Sequence, residues 1–227
     1  MKNTEFDFYI RTKSDLVSAV RVFGFVPLFA GSINGFSVEE HVAPECWFSE
    51  SEGVWEWKGP VIRESGCAYG KFFENRAVFI SREWFSDFAN YRRNGYDFDS
   101  RCDEGLVYYR DKELYELIDE NAPVLSKKVK YLGNYGKDGK KGFDTSINRL
   151  QNQCYILISD FVYETAKNGN TYGWGVAQYS TPEKHFGESF SSNVYSRTPE
   201  ESFERIIKHL KSLLPSASEE SLRKILK

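Results

Sequence analysis

Residues 126–179 decide the fold, because the spacing of hydrophobic residues changes from helical to strand-like within this one stretch, SKKVKYLGNYGKDGKKGFDTSINRLQNQCYILISDFVYETAKNGNTYGWGVAQY. Ser126 is a good N-cap for a short basic helix, and Gly133 ends it. A glycine- and lysine-rich turn follows. The apolar spacing then predicts a second helix over residues 143–154.

A β-hairpin is predicted directly after this second helix. Residues 155–165 and 172–179 are rich in β-branched and aromatic side chains, and Asn168-Gly169 between them is a common hairpin turn. Helix, turn, helix and hairpin is the order of a winged helix, a module that places its second helix in a DNA groove. Many winged helices instead dock other proteins, so the order alone leaves both uses open.

The second helix has one apolar face and one polar face. At about 100° per residue, Phe143, Ile147, Leu150 and Cys154 fall on one side, which is predicted to be buried. Amide, hydroxyl and cationic side chains fall on the other side or flank it, and such groups reach base edges and phosphates. The predicted DNA contacts, including two residues at the hairpin tip, are Lys140, Lys141, Thr145, Asn148, Arg149, Asn152, Lys167 and Asn168.

Charge is unevenly distributed along the chain. The net charge of the whole chain is −3, whereas residues 1–120 sum to −8 and residues 121–227 to +5. Residues 127–149 contain seven basic side chains and two acidic ones. This concentration predicts a surface that binds a polyanion; a solvated lysine-rich loop is the alternative.

The composition and the remaining segments indicate an α+β protein. Residues 1–120 form an acidic, aromatic-rich α+β part with predicted strands at 54–57, 67–73 and 77–80. Residues 121–187 form the winged-helix domain. Residues 188–227 form C-terminal helices whose apolar stripe packs within the chain or, alternatively, in a dimer.

Several classes of protein are excluded or disfavoured. The longest apolar run is too short to span a membrane, and the first ten residues are polar and acidic, so a cytoplasmic protein without a membrane partner is expected. The four cysteines lack metal-ligand spacing, and no phosphate loop is present. We therefore expect no metal and no cofactor, and we expect a monomer.

Five strings identify a resemblance to a known family: residues 55–73 (WEWKGPVIRESGCAYGKFF), 88–106 (FANYRRNGYDFDSRCDEGL), 125–133 (LSKKVKYLG), 139–153 (GKKGFDTSINRLQNQ) and 172–187 (YGWGVAQYSTPEKHFG). They resemble the bacterial AlkZ-related proteins, small relatives of winged-helix DNA glycosylases. The resemblance implies winged-helix architecture and double-stranded DNA as the partner. For full-length relatives it implies hydrolysis of the N-glycosidic bonds of alkylated or crosslinked bases, without metal or cofactor.

The chain departs from those glycosylases at their catalytic residues. They have a pair of glutamines, spaced one apart, near the N-terminus, whereas glutamine occurs here only at positions 151, 153 and 178. Gln151 and Gln153 have that spacing, but residues two apart on a helix point in different directions. Glycosylase activity therefore does not transfer, and a regulatory or protein-interaction module without catalysis is the alternative.

If the chain has catalytic activity, a carboxylate must activate the attacking water. Asp97 and Asp99 are the candidates, although salt bridges to neighbouring arginines are the alternative use for them. Trp57 and Tyr69 are candidates for stacking on an extruded base, with core packing as the alternative.

Overall fold

A computed structural model describes residues 6–49, 52–165 and 171–227. Its strands are β1 (Phe25–Pro27), β2 (Ala68–Phe73), β3 (Arg76–Ile80), β4 (Val124–Leu125), β5 (Leu157–Thr165) and β6 (Thr171–Ser180). Its helices are α1 (Lys13–Phe23), α2 (Val38–His41), α3 (Pro44–Trp47), α4 (Val54–Ser65), α5 (Arg82–Arg93), α6 (Phe98–Asp103), α7 (Tyr109–Asn121), α8 (Ser126–Leu132), α9 (Phe143–Asn152), α10 (Pro182–Phe186), α11 (Glu188–Ser191), α12 (Pro199–Leu213) and α13 (Glu219–Ile225). The chain is therefore α+β, as predicted.

One antiparallel sheet contains all six strands, in the order β1-β3-β2-β5-β6-β4. Strands β5 and β6 pair over most of their length, and β4 adds to the outer edge with Val124 opposite Tyr179. Strand β2 pairs with β5 at a single point, Tyr69 opposite Ile158. This pairing joins the strands of the first part of the chain to the hairpin.

Two hydrophobic clusters lie on either side of this junction. The larger cluster contains residues of β1 to β3 together with α1, α5, α12 and α13. The smaller cluster is built from α7, α8, α9 and the start of the hairpin, with Phe98 of α6 added. Ile158 contacts both clusters, so the two cores meet at the strand pairing described above. The domain boundaries at residues 120 and 187 stay a prediction.

The apolar stripe of the C-terminal helix packs inside the chain. Thr198 and Glu201 form a capping box with Pro199 in the first turn, as the sequence indicates. Ile206, Leu210 and other residues of the stripe are then buried in the larger cluster. Within the described part of the chain, no helix is long and apolar enough to cross a bilayer.

The strand predicted over residues 54–57 is wrong, because these residues form the first turn of α4. Gly53 precedes this helix, and its backbone N–H donates to the side chain of Glu56 at 3.0 Å. Val54, Trp57 and Val61 are buried at a helical spacing of three to four residues. The aromatic content of this segment is typical of strands, but its apolar spacing determines the helix.

Candidate nucleic-acid interface

Helix α9 has the two faces that the sequence predicts. Phe143, Ile147 and Leu150 are buried in the smaller cluster, whereas Thr145 is exposed and Asn148 is half-buried. The helix ends at Asn152, two residues earlier than predicted, because Cys154 adopts a left-handed conformation with φ of 60°. The polar face of α9 is thus available to form a surface.

This polar face forms one wall of a cleft of about 910 Å³. The opposite walls come from the end of α5, from α6, from the turn between β2 and β3, and from the last residue of the chain. The lining residues are Asn75, Tyr91, Arg92, Arg101, Thr145, Asn148, Arg149, Asn152, Gln153 and Lys227. Four of them are cationic and none is acidic, so the cleft is suited to anionic groups.

Arg92 fixes the geometry at one end of the cleft. Its Nε donates to the backbone oxygen of Asn152 at 2.6 Å, and its Nη2 donates to Asn152 Oδ1 at 3.1 Å. Its Nη1 donates to the backbone oxygen of Leu226 at 2.8 Å. Asn152 Nδ2 donates in turn to Asn75 Oδ1 at 2.6 Å. Asn152 is therefore held in place by its neighbours rather than left free to read a base.

Thr145 and Asn148 are the polar side chains of α9 that remain uncommitted. Neither forms a side-chain hydrogen bond within the described part of the chain. Asn148 lines the cleft beside Arg149, so its amide can donate and accept there. Among the sequence-predicted contacts that lie on α9, these two are accessible and have no side-chain hydrogen bond within the described residues.

Arg149 is tied to a buried carboxylate. Its Nη2 donates to Asp111 Oδ1 at 2.8 Å, and its Nε also contacts this carboxylate. Its guanidinium lies 4.3 Å from the centre of the Tyr108 ring. The hydrogen bond with Asp111 raises the pKa of Arg149. Its positive charge is therefore largely compensated within the chain.

The basic segment is partly neutralised in the same way. Lys140 and Lys141 precede α9 instead of lying on its face, because the helix begins only at Phe143. Lys140 pairs with Glu113 of α7, whereas Lys141 Nζ donates to backbone oxygens, including that of Gly136 at 2.9 Å. The seven basic side chains divide into four with a carboxylate partner, Lys127, Lys130, Lys140 and Arg149, and three without one among the described residues, Lys128, Lys137 and Lys141.

The two candidate catalytic carboxylates lie away from the cleft lining. Asp97 is the N-cap of α6, and its Oδ1 accepts a hydrogen bond from the Ser100 backbone N–H at 2.7 Å. Asp99 is exposed in the first turn of the same helix. Neither residue forms a salt bridge with Arg92 or Arg101 within the described ranges. The local structure thus gives Asp97 a capping role.

The two candidate stacking residues are buried. Trp57 and Tyr69 belong to the larger cluster, where Tyr69 packs against Phe79 at 4.6 Å between ring centres. A base could reach either ring only if the core opened. Lys167 and Asn168, predicted at the hairpin tip, lie outside the described residues.

Gln151 and Gln153 face different surroundings. The Gln151 side chain is buried, and its Oε1 accepts a hydrogen bond from the Lys71 backbone N–H at 3.0 Å. Gln153 lines the cleft. The two amides therefore lie in different surroundings, although α9 ends at Asn152, before Gln153.

The thiols are free, and the described residues contain no group of three or more His, Cys, Asp or Glu side chains placed to hold a metal ion. The residues of the cleft that sequence reasoning missed are Asn75, Tyr91, Arg92, Arg101 and Lys227. Each comes from a segment far from α9 in the chain, so only the tertiary structure places it in the cleft.

A family model described as "AlkZ related" matches residues 10–227, which is nearly the whole chain. No curated protein and no solved structure is measurably similar to this chain.

Proposed function

Since this chain belongs to the AlkZ-related family, we propose that it binds double-stranded DNA and that residues 109–180 act as a winged helix. The element order supports this proposal: α7, β4, α8 and α9 precede the β5–β6 hairpin, and the short strand β4 pairs with β6. A compact three-helix unit with a three-stranded sheet is suited to presenting α9 to a groove.

The cleft beside α9 is the observation that favours a polyanion. Arg92, Arg101, Arg149 and Lys227 surround a cavity that contains no acidic side chain, although the chain as a whole is acidic. Amide and hydroxyl groups of Asn148 and Thr145 lie among these cations. Cations next to amides and hydroxyls are the groups that proteins place against phosphates and base edges.

The ion pairs set the expected strength of the interaction. Arg149 already has a carboxylate partner, so phosphates at the cleft must be neutralised mainly by the other three cations that line it, Arg92, Arg101 and Lys227. Each phosphate contact contributes about 0.9 to the slope of log K against log salt concentration. Three such contacts give an expected slope of about −3, whereas seven free cations would give about −6.

The test is fluorescence anisotropy of a labelled duplex between about 50 and 200 mM salt, the range in which such contacts change affinity most. Arg101→Gln should weaken binding and reduce the slope by about 0.9. Asn148→Asp should weaken duplex binding further, because the new carboxylate would repel the phosphates in the cleft. Lys208→Gln is the matched control, since it removes one exposed charge from α12 without touching the cleft.

Two results would overturn this proposal. One is the absence of duplex binding at the lowest salt concentration. The other is equal affinity for the duplex among wild type, Arg101→Gln and Asn148→Asp, which would place any binding outside the cleft.

The proposal is restricted to binding. Glutamine is absent from residues 1–150, where the glycosylases that the family resembles have their catalytic pair, and none of the described residues that line the cleft has a side-chain carboxylate to activate water. Incubation with alkylated duplex, followed by quantification of abasic sites, tests for base excision separately. Release of bases above the protein-free control would add chemistry to the function, and comparison of Asp97→Asn with Asp99→Asn would then assign the carboxylate.

A further inference from the structure

A row of aromatic side chains lies on the surface beside the hairpin. The aromatic row consists of Phe48, Trp47, Trp55 and Trp174, in that order. Successive ring centres are 6.3, 5.8 and 6.2 Å apart. Phe48 and Trp174, at its two ends, are each 79% exposed. Large aromatic residues in such a row are seldom left in water unless they bind something.

The two outer rings make few contacts with the rest of the fold. Among the described residues, Trp174 has a ring contact with Trp55 and Phe48 has one with Trp47. Trp47 and Trp55 rest on Phe29, at 5.9 Å in both cases, and so connect the row to the larger cluster. The inner rings are anchored and the outer rings are available.

The chain segment that contains three of the four rings is acidic in sequence. Residues 45–56 contain these three rings and four glutamates, but no lysine or arginine. Glu45 and Glu52 are exposed and have no ionic partner among the described residues. Glu56 caps α4. This acidic segment contrasts with the lining of the cleft beside α9, which includes four cations and no acidic side chain.

The rings already hold one cation of the chain itself. Lys58 Nζ lies 4.8 Å from the centre of the Trp55 ring and 4.4 Å from that of Phe161. Burial lowers the pKa of Lys58 to about 8. Tryptophan is the best aromatic partner for a cation, and a guanidinium can also stack flat on the ring. Trp174 is 79% exposed and has no cation on its ring among the described residues, so its ring can do the same for a second cation.

From the exposed rings and the unpaired carboxylates, we propose that the aromatic row binds an arginine-rich segment of a partner protein. A guanidinium would stack on Trp174, and neighbouring cations would meet Glu45 and Glu52. None of the four rings of the aromatic row is among the residues that line the cleft beside α9.

The test uses a fluorescently labelled nonapeptide of arginine as the probe, with a nonapeptide of glutamate and a duplex for comparison. Trp174→Ala should weaken binding of the arginine peptide about five-fold, the effect of one exposed cation–π contact. It should leave duplex affinity unchanged. Phe48→Ala is a second variant at the other end of the row. Both side chains are exposed, and circular dichroism confirms that each variant is folded.

A charge-matched pair of variants separates the site from general attraction. Glu45→Gln/Glu52→Gln removes two charges beside the row, and Glu104→Gln/Glu188→Gln removes two elsewhere. The first should weaken binding of the arginine peptide clearly more than the second.

Three results would overturn the proposal. Equal binding of the peptide by wild type and by Trp174→Ala and Phe48→Ala would show non-specific attraction to an acidic protein. Loss of duplex affinity in Trp174→Ala, with peptide binding intact, would make the row a nucleic-acid surface. A dimer in solution that dissociates in Trp174→Ala would make a second copy the occupant of the row.

Discussion

Replacement of Arg149 by glutamine should destabilise the fold through the carboxylate that it leaves behind. The side chain of Asp111 is 3% exposed, and its two oxygens accept hydrogen bonds from Arg149, with Nη2 to Oδ1 at 2.8 Å. Asp111 lies in the first turn of α7, so the helix dipole is its other favourable interaction. Arg149→Gln keeps a polar side chain at this position but removes the positive charge.

The magnitude follows from the burial of the pair. Removing one partner of a buried ion pair costs about 3–5 kcal/mol. The Arg149 side chain is 32% exposed, so water can approach the carboxylate after the substitution, and the dipole offsets up to about 1 kcal/mol. We therefore expect a loss of about 2–3 kcal/mol in the free energy of unfolding. Asp111→Asn/Arg149→Gln should recover most of this loss, because no charge is then buried alone.

Urea unfolding of the wild type, both single variants and the double variant measures this coupling as a double-mutant cycle. A coupling energy of about 2 kcal/mol is expected. The reasoning is refuted if Arg149→Gln unfolds within about 0.5 kcal/mol of the wild type, the usual range of a surface substitution. It is also refuted if the double variant is as unstable as Arg149→Gln.

Four further predictions concern other parts of the molecule. Gly59→Ala should lower the urea midpoint of unfolding, although alanine favours helices. The new Cβ would lie 2.7 Å from Asp160 Oδ1 and 3.2 Å from the backbone oxygen of Phe161 in β5, and an unchanged midpoint would contradict this. Asp97→Ala should cost about 1 kcal/mol in thermal unfolding by removing a helix cap and leave duplex affinity unchanged. Burial raises the pKa of Cys67 and Cys154 to about 12, so a thiol reagent should label these two only after unfolding and the other two before it. Burial lowers the pKa of His209, so this side chain binds a proton more readily in the unfolded chain than in the folded one. The free energy of unfolding should therefore decrease as the pH is lowered through about 6.5, and it should decrease less in His209→Gln.

Elements with a regular apolar spacing could be predicted from the sequence. Helix α9 and the stripe of α12 repeat their buried residues every three to four positions, and the hairpin strands are rich in β-formers. Such patterns are local, so they predict these elements without knowledge of the tertiary structure. The strand prediction for residues 54–57 was wrong because two tryptophans separated by one residue also fit a strand. The deciding factors, the Gly53 cap and the close approach of Gly59 to β5, depend on the rest of the structure.

The candidate site was only partly predictable. Thr145 and Asn148 follow from the angular position of each residue on α9, and the structure places both on the accessible face. Arg101 and Lys227 could not be found, because they reach the cleft through the packing of α6 and the end of the chain. Counting charges also overestimated the free basic surface, since it cannot show which carboxylates of α7 face the lysines.

The acidic and basic parts of the chain thus partly neutralise each other where α7 contacts the basic segment. Asp111 and Glu113 come from the acidic part and neutralise Arg149 and Lys140 of the basic part. If Arg149 bound a phosphate instead, Asp111 would stay buried without its partner. The free-energy cost of that unpaired carboxylate exceeds the free energy gained from one exposed ion pair. Under the proposed function, Arg149 therefore stays with Asp111 when a polyanion binds, and duplex affinity has to come mainly from Arg92, Arg101 and Lys227. A shallow salt dependence, rather than a steep one, is therefore the expected signature of duplex binding at this cleft.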